Sequence, residues 1–264
     1  MAYHRRFGFT LLELSIVLVV LSLMVAGFLA TITQEARVAQ YAELQMKMDA
    51  IEQAVIAYTK RSNTRALPCP ADPTLPITDP TFGIAEPFSG CPVSTLPIPN
   101  SFRRNAETTT GAVPVKSIGL PDDYAIDPWG NQFTYTVDRE AATTDAFILD
   151  PISSSAIGDI TVQNLAAATI TTTAVMVLLS HGPNKFGGFG NGGVRKDLDS
   201  TNANEQQNCN CIQNGTASAV GLNYNSTCSI GIDTQAVGAP ENNFDDIVRY
   251  YDRSFFRLYT DLVL

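Results

Sequence analysis

Hydrophobic residues are concentrated in one run near the N-terminus. Between Phe9 and Thr33 the only ionisable side chain is that of Glu13, and residues 14–33 are twenty positions without a charge. A helix of that length rises about 30 Å, which matches the hydrocarbon thickness of a bilayer. The pattern therefore predicts that residues 9–33 form a membrane-spanning helix.

The helical pattern continues beyond the membrane. Over residues 34–61 apolar side chains recur at spacings of three and four, at Tyr41, Leu44, Met48, Ile51, Val55 and Tyr58. The opposite face carries polar residues, namely Glu43, Lys47, Asp49, Glu52 and Lys60. Because residues 9–61 contain no proline, we expect one helix about 80 Å long, in which Gly27 allows a bend. Its outer half, residues 34–61, is expected to pack on a globular domain over residues 62–264; a two-stranded coiled coil is the alternative.

The globular domain begins with a proline-rich segment and continues with strand patterns. Residues 67–100 hold nine of the fifteen prolines, which predicts an ordered connecting loop. Residues 132–137 alternate apolar and polar side chains, as in a half-buried strand, and residues 174–179 are uniformly apolar, as in a central strand. Residues 244–251 also indicate a strand, residues 161–173 are ambiguous, and residues 254–264 fit a strand or a short helix. The fold class is therefore α+β.

Five cysteines in an exported domain favour disulfides. Cys69 and Cys91 bracket the proline-rich loop, and a bond between them would close a 23-residue loop, contributing about 3 kcal/mol. Cys228 is expected to pair with Cys209 or Cys211, and the choice stays open. A zinc site would need a fourth ligand beyond these three.

The charge balance argues against nucleic-acid binding. Lys and Arg number 17 and Asp and Glu 26, a net charge of −9, whereas nucleic-acid binders are usually basic. Residues 188–193 match G-x-G-x-x-G, but the flanking strand and helix of a nucleotide site are missing, so we interpret them as a flexible surface loop. Ser180 and His181 suggest a hydrolase, but neighbouring strand residues face opposite ways, so a surface or loop position is expected for His181.

The N-terminus combines a cationic leader with a distinctive acid. Arg5 and Arg6 precede the apolar run and are expected to stay in the cytoplasm, which places the rest of the chain outside. A secretory signal peptide normally has a shorter apolar region that ends at a cleavage site of small residues. A plain signal anchor leaves Glu13 unexplained, since a lone carboxylate is unfavourable in hydrocarbon.

The segment Gly8-Phe9-Thr10-Leu11-Leu12-Glu13 resembles the prepilin-peptidase site of the type IV pilin and pseudopilin superfamily. The resemblance implies that residues 1–8 are a leader removed after Gly8 and that Phe9 becomes an N-methylated amino terminus. It places Glu13 at the glutamate that acts in assembly, where it pairs with the amino terminus of a neighbouring subunit. It also implies a pilin-like fold, in which the long helix packs on an antiparallel sheet.

Three further stretches extend the resemblance. The turn at residues 127–131, DPWGN, is similar to that of major pseudopilins, and residues 179–184 and 245–247 echo them more weakly. Several pseudopilins bind Ca²⁺, and carrying this over gives Ser180, Asn184 and Asp246 as candidate ligands. Asn184 and Lys185 stand where the family has Asp and Gly, so we expect a weakened site.

The resemblance implies a structural subunit, a minor pilin or a pseudopilin, of a filament serving type II secretion or a type IV pilus, and not an enzyme. Its partners would be other pilins or pseudopilins, a prepilin peptidase, an inner-membrane assembly platform with its ATPase, and membrane lipid. The chain would cross the bacterial inner membrane once, with a periplasmic globular domain, before joining the filament. The alternatives are a membrane-anchored periplasmic binding domain that does not polymerise, and an exported enzyme that uses His181.

Overall fold

The computed structural model describes residues 11–61, 65–85, 91, 108–142, 158, 160–164, 168–196, 208, 223–225 and 244–260. It divides into two compact units, Met1–Gln45 and Met46–Leu264. The proposed processing site at Gly8 and Phe9 lies outside the described residues, as do Cys209, Cys211 and Cys228.

Helix α1 extends over Leu11–Arg61 and confirms the long N-terminal helix. It has 51 residues and remains helical through Gly27. In the first unit the apolar side chains from Leu11 to Val25 are exposed, and Leu11 is 88% exposed. Within the described part of the chain, no helix has the combination of length and apolar character that crossing a membrane requires.

In the second unit the apolar stripe of α1 faces the protein interior. Met48, Ile51 and Val55 are completely buried, which confirms that this part of the helix packs within the globular unit. Lys47 was predicted to lie on the polar face, but it is only 8% exposed. Its ammonium group donates to the carbonyl oxygen of Ile126 at 2.9 Å, and this bond offsets the desolvation of the charge.

The second unit also contains a six-stranded sheet. The strands are β1 (Thr108–Ala112), β2 (Thr134–Asp138), β3 (Ile160–Gln163), β4 (Thr169–Ser180), β5 (Asn223–Asn225) and β6 (Ile247–Asp252). All pairs are antiparallel except the parallel pair of β3 and β5. Strand β4 pairs with β2, β3 and β6, which confirms it as the central strand. The α+β class is confirmed.

Short helices accompany the sheet in the described ranges. Helix α2 covers Val115–Ile118, a 3-10 helix covers Asp122–Ala125, and helix α3 covers Arg253–Thr260. The C-terminal segment, for which strand and helix were both open, is therefore helical as far as Thr260.

Strand β2 differs from its prediction, because it is buried on both faces. Tyr135, Thr136 and Val137 are all fully buried, although only alternate residues were expected to be. Strands β1 and β4 flank both of its edges, and the Tyr135 hydroxyl donates to the carbonyl oxygen of Pro68 at 3.0 Å. The proline-rich loop therefore reaches this strand.

The described part of the proline-rich loop is ordered by two kinds of link. The predicted disulfide joins Cys69 to Cys91, with their Cα atoms 5.4 Å apart. Ala71 exchanges two backbone hydrogen bonds with Ala112 of β1, both at 2.9 Å. The loop is thus attached to the edge of the sheet.

Candidate functional site

The first candidate site is the start of α1. Glu13 lies in the first turn of α1 as the structure describes it. Farther along, the hydroxyls of Ser15 and Ser22 donate to the carbonyl oxygens of Leu12 and Leu18 at 2.8 and 2.7 Å. Both serines therefore satisfy their hydroxyls within the helix, which suits them to apolar surroundings.

The second candidate site is a group of buried polar side chains at the C-terminal end of β4, which we call the β4-end cluster: Asp127, Ser180, His181, Asn208 and Asp246. The antiparallel register of β4 and β6 sets Ser180 opposite Ile247. This register brings the residue that follows β4, His181, close to the residue that precedes β6, Asp246.

Asp127 joins the DPWGN turn to β4. One of its carboxylate oxygens accepts the N–H groups of Trp129 and Asn131 at 3.0 and 2.9 Å, and the other accepts the hydroxyl of Ser180 at 2.7 Å. Burial raises the pKa of Asp127, while the hydrogen bonds act in the opposite direction. Gly130 has a φ of +88°, which a tight turn supplies most readily with glycine. The predicted turn is confirmed.

His181 follows the last residue of β4 and so takes the expected loop position, but it is buried, so the alternative of a surface position is wrong. Its Nε2 lies 3.0 Å from the Thr134 hydroxyl, and its Nδ1 lies 3.8 Å from Oδ1 of Asp246. Burial lowers the pKa of His181 to about 3, and the charge of Arg195 acts in the same direction. The imidazole is therefore neutral at physiological pH.

The glycine-rich segment explains how this ring is buried. A Cβ placed on Gly188 would lie 3.1 Å from Cδ2 of the His181 ring, so glycine permits the close approach. Gly188 and Gly190 are buried, and the carbonyl oxygen of Phe189 accepts the N–H of Gln132 at 2.6 Å. The interpretation of residues 188–193 as a simple surface loop is therefore wrong for the first half of the segment.

The cluster has little of the geometry that hydrolysis requires. Ser180 donates its hydroxyl to Asp127 and is therefore engaged away from His181. The 3.8 Å separation of His181 and Asp246 exceeds a hydrogen bond. An imidazole with a pKa of about 3 is also a poor general base near neutral pH. The arrangement suits a role in holding loops together.

The candidate calcium ligands Ser180 and Asp246 each form a hydrogen bond with a different neighbouring side chain. Asp246 accepts the side-chain amide of Asn208 at 2.8 Å, whereas Ser180 contacts Asp127. Within the described ranges, no three or more His, Cys, Asp and Glu side chains are grouped as a metal site would require. The calcium site stays a prediction.

The third candidate, Asn184, is held in a turn. Its N–H donates to Oδ2 of Asp245 at 2.9 Å, and its side-chain oxygen accepts the N–H of Phe186 at 3.1 Å. The next residue, Lys185, has a φ of +67°, a left-handed conformation that favours glycine. The backbone thus keeps a glycine-like conformation at the position where the sequence has lysine.

Sequence reasoning missed Thr134 and Asn208 as members of this environment. Thr134 belongs to the polar positions of a strand that was predicted to be half-buried, so the pattern gave no reason to place it against a buried histidine. Asn208 lies 38 residues from its partner Asp246, and no local pattern marks it.

Comparison with known proteins bears on the N-terminus. Residues 3–29 match the family described as the prokaryotic N-terminal methylation motif. This motif is the hallmark of the prepilin-type signal of type IV pilins and pseudopilins, and it confirms the resemblance seen at Gly8 to Glu13. No curated protein and no solved structure matches the chain.

Proposed function

We propose that this protein is a structural subunit of a type IV filament system, either a minor pilin or a pseudopilin, serving type II secretion or pilus assembly. The match of residues 3–29 to the N-terminal methylation motif carries the proposal. The α+β arrangement, with a long N-terminal helix and a mostly antiparallel sheet, is consistent with it.

In this proposal a prepilin peptidase cleaves between Gly8 and Phe9 and the new terminus is N-methylated. Residues 9–33 then hold the subunit in the inner membrane before assembly. Support comes from the uncharged run of residues 14–33 and from the internally bonded hydroxyls of Ser15 and Ser22. The buried disulfide supports an oxidising compartment for the globular domain.

Assembly would move the apolar helix from lipid into a bundle of neighbouring helices. Packing of its exposed side chains against those neighbours would hold the filament together, and an assembly platform with its ATPase would supply the work of extraction. In that core the carboxylate of Glu13 would pair with the amino terminus of a neighbour. Desolvation cancels much of the attraction, so the pair sets the register more than it adds stability.

Mass spectrometry of the chain, expressed with and without a prepilin peptidase, tests the proposal. We expect loss of residues 1–8 and one added methyl group on Phe9 only when the peptidase is present. A charged substitution at the cleavage position, Gly8→Glu, should block processing, while Gly27→Ala serves as a matched control within the helix.

Two results would contradict the proposal. Retention of Met1 in the presence of an active peptidase would favour a membrane-anchored binding domain that does not polymerise. A mature chain that begins beyond residue 33 would favour a secretory signal peptide.

A further inference from the structure

Polar side chains join α1 to β6 alongside the apolar packing. Arg249 and Tyr251 are two residues apart on β6 and share one face of the sheet, and Asp49 and Glu52 share one face of the helix. The Arg249 guanidinium donates to Asp49 at 2.6 Å and lies 3.5 Å from Glu52. The Tyr251 hydroxyl donates to the same Glu52 carboxylate at 2.8 Å.

The apolar contact alone does not determine where the helix lies along the sheet. Met48, Ile51 and Val55 supply buried apolar surface, but hydrophobic attraction has no direction. A helix held only by such a stripe retains some freedom to slide or rotate. Hydrogen bonds between charged groups need particular distances and angles, so they distinguish one register from the others.

These polar contacts are poorly placed to add much stability. The Asp49 side chain is 66% exposed, and exposed ion pairs contribute little because water screens them. Glu52 and Arg249 are more enclosed, so their desolvation opposes their attraction. Their geometry is therefore better suited to specifying position than to increasing the free energy of unfolding.

Tyr251 extends the arrangement to the C-terminal helix. Its ring packs against Phe255 and Phe256 of α3, with centroids 4.9 and 6.1 Å away. Burial and the hydrogen bond to Glu52 raise the pKa of Tyr251, so its hydroxyl remains a donor at neutral pH. One side chain thus contacts both α1 and α3.

We propose that Arg249 and Tyr251 are positioning residues that set the register and rotation of residues 46–61 of α1 on the sheet. They act through Asp49 and Glu52, while the apolar stripe supplies the attraction. This inference concerns the second unit alone, so it is tested independently of filament formation.

Distance measurement by pulsed electron paramagnetic resonance provides the test. Spin labels are attached through unnatural amino acids at two exposed positions, Gln53 of α1 and Thr172 of β4, in the full chain in detergent. The double variant Arg249→Met/Tyr251→Phe should broaden or shift the distance distribution, by up to about 5.4 Å for a slip of one helical turn. Its melting temperature should remain close to that of the parent.

Tyr250→Phe is the matched control. It removes a hydroxyl from the same strand, but Tyr250 packs on the opposite side against the cluster that contains Ile160 and Val162. Its distance distribution should equal that of the parent. An unchanged distribution in the double variant, with or without a lower melting temperature, would overturn the proposal.

Charge inversion gives a second, independent test of the positioning role. Arg249→Glu should disturb the distance distribution, and the added change Asp49→Arg should restore the parental distance by rebuilding the pair in reverse. If circular dichroism shows that Arg249→Met/Tyr251→Phe is unfolded, the comparison of Arg249→Glu with Arg249→Glu/Asp49→Arg decides whether the proposal holds. Restoration supports the positioning role, and failure to restore contradicts it.

Discussion

At the scale of single residues, Asp127 of the β4-end cluster accepts three hydrogen bonds. We expect Asp127→Ala to lower the free energy of unfolding by about 3 kcal/mol, because it leaves two turn N–H groups and the Ser180 hydroxyl without their acceptor. Asp127→Asn should lower the free energy of unfolding by less than Asp127→Ala does, since it removes a carboxylate whose burial is unfavourable. Urea denaturation measures both changes.

The exposed neighbour Asp123 supplies the control for this experiment. Asp123→Ala should change the free energy of unfolding by less than about 0.5 kcal/mol. Equal losses for Asp123→Ala and Asp127→Ala would show that the hydrogen bonds of Asp127 add nothing specific.

The second residue-scale prediction concerns pH. Burial holds the pKa of His181 at about 3, whereas an unfolded chain has a value of 6.5. The unfolded state therefore takes up a proton first as the pH falls. The contribution of this residue to stability is complete above pH 6.5 and is lost between pH 6.5 and 3.

This difference in pKa predicts that His181 lowers the free energy of unfolding by about 2 kcal/mol when the pH falls from 7 to 5. Urea denaturation at the two pH values measures it, and His181→Gln should remove that part of the pH dependence. The charges of Asp246 and Arg195 lie near His181, so the comparison is made between parent and variant at each pH. Identical pH profiles would refute the assignment.

At the scale of elements, the proline-rich loop depends on its covalent link. Replacing both cysteines, Cys69→Ala/Cys91→Ala, should lower the free energy of unfolding by about 3 kcal/mol, because the unfolded chain regains the freedom of a 23-residue loop. Urea denaturation without reductant measures the loss. A change below about 1 kcal/mol would mean that the backbone bonds between Ala71 and Ala112 hold the loop without the disulfide.

Helix α1 was the most predictable element because its signals are local. The spacing of apolar residues and the lack of proline specify a helix without reference to the rest of the chain. The second half of the central strand β4 was marked by its uniform apolar run, whereas its first half, residues 169–173, was ambiguous. Strand β2 was harder, since the burial of Thr136 depends on neighbours distant in sequence.

At the scale of the whole molecule, the proposed function depends on one acid in an apolar helix. Glu13→Ala should leave membrane insertion intact and abolish assembly, because it removes the group proposed to pair with a neighbouring amino terminus. Membrane fractionation measures insertion, and recovery of sheared filaments from cells that produce the other subunits measures assembly. Glu35→Ala, an exposed acid farther along the same helix, is the control. Normal filament yield from Glu13→Ala would refute the role of this residue.

The β4-end cluster shows the limit of reading sites from sequence. Ser180, His181 and Asp246 all drew attention as chemically capable residues, but their roles depend on partners that only folding brings near. In the structure Ser180 donates a hydrogen bond to Asp127, and Asp246 accepts one from Asn208. It packs His181 against Gly188, so a residue expected at the surface or in a loop is a buried, neutral loop residue.

By itself, the sequence determined the features that arise from neighbouring residues: the long helix, the DPWGN turn, the central strand and the N-terminal motif. These depend on periodicity, backbone preference and short-range spacing, which are properties of a local segment. Tertiary structure alone decided the burial of Lys47 and His181, the two covered faces of β2 and the contacts that join β6 to α1. Burial and hydrogen-bond partners depend on residues far apart in the chain, so no local pattern contains them.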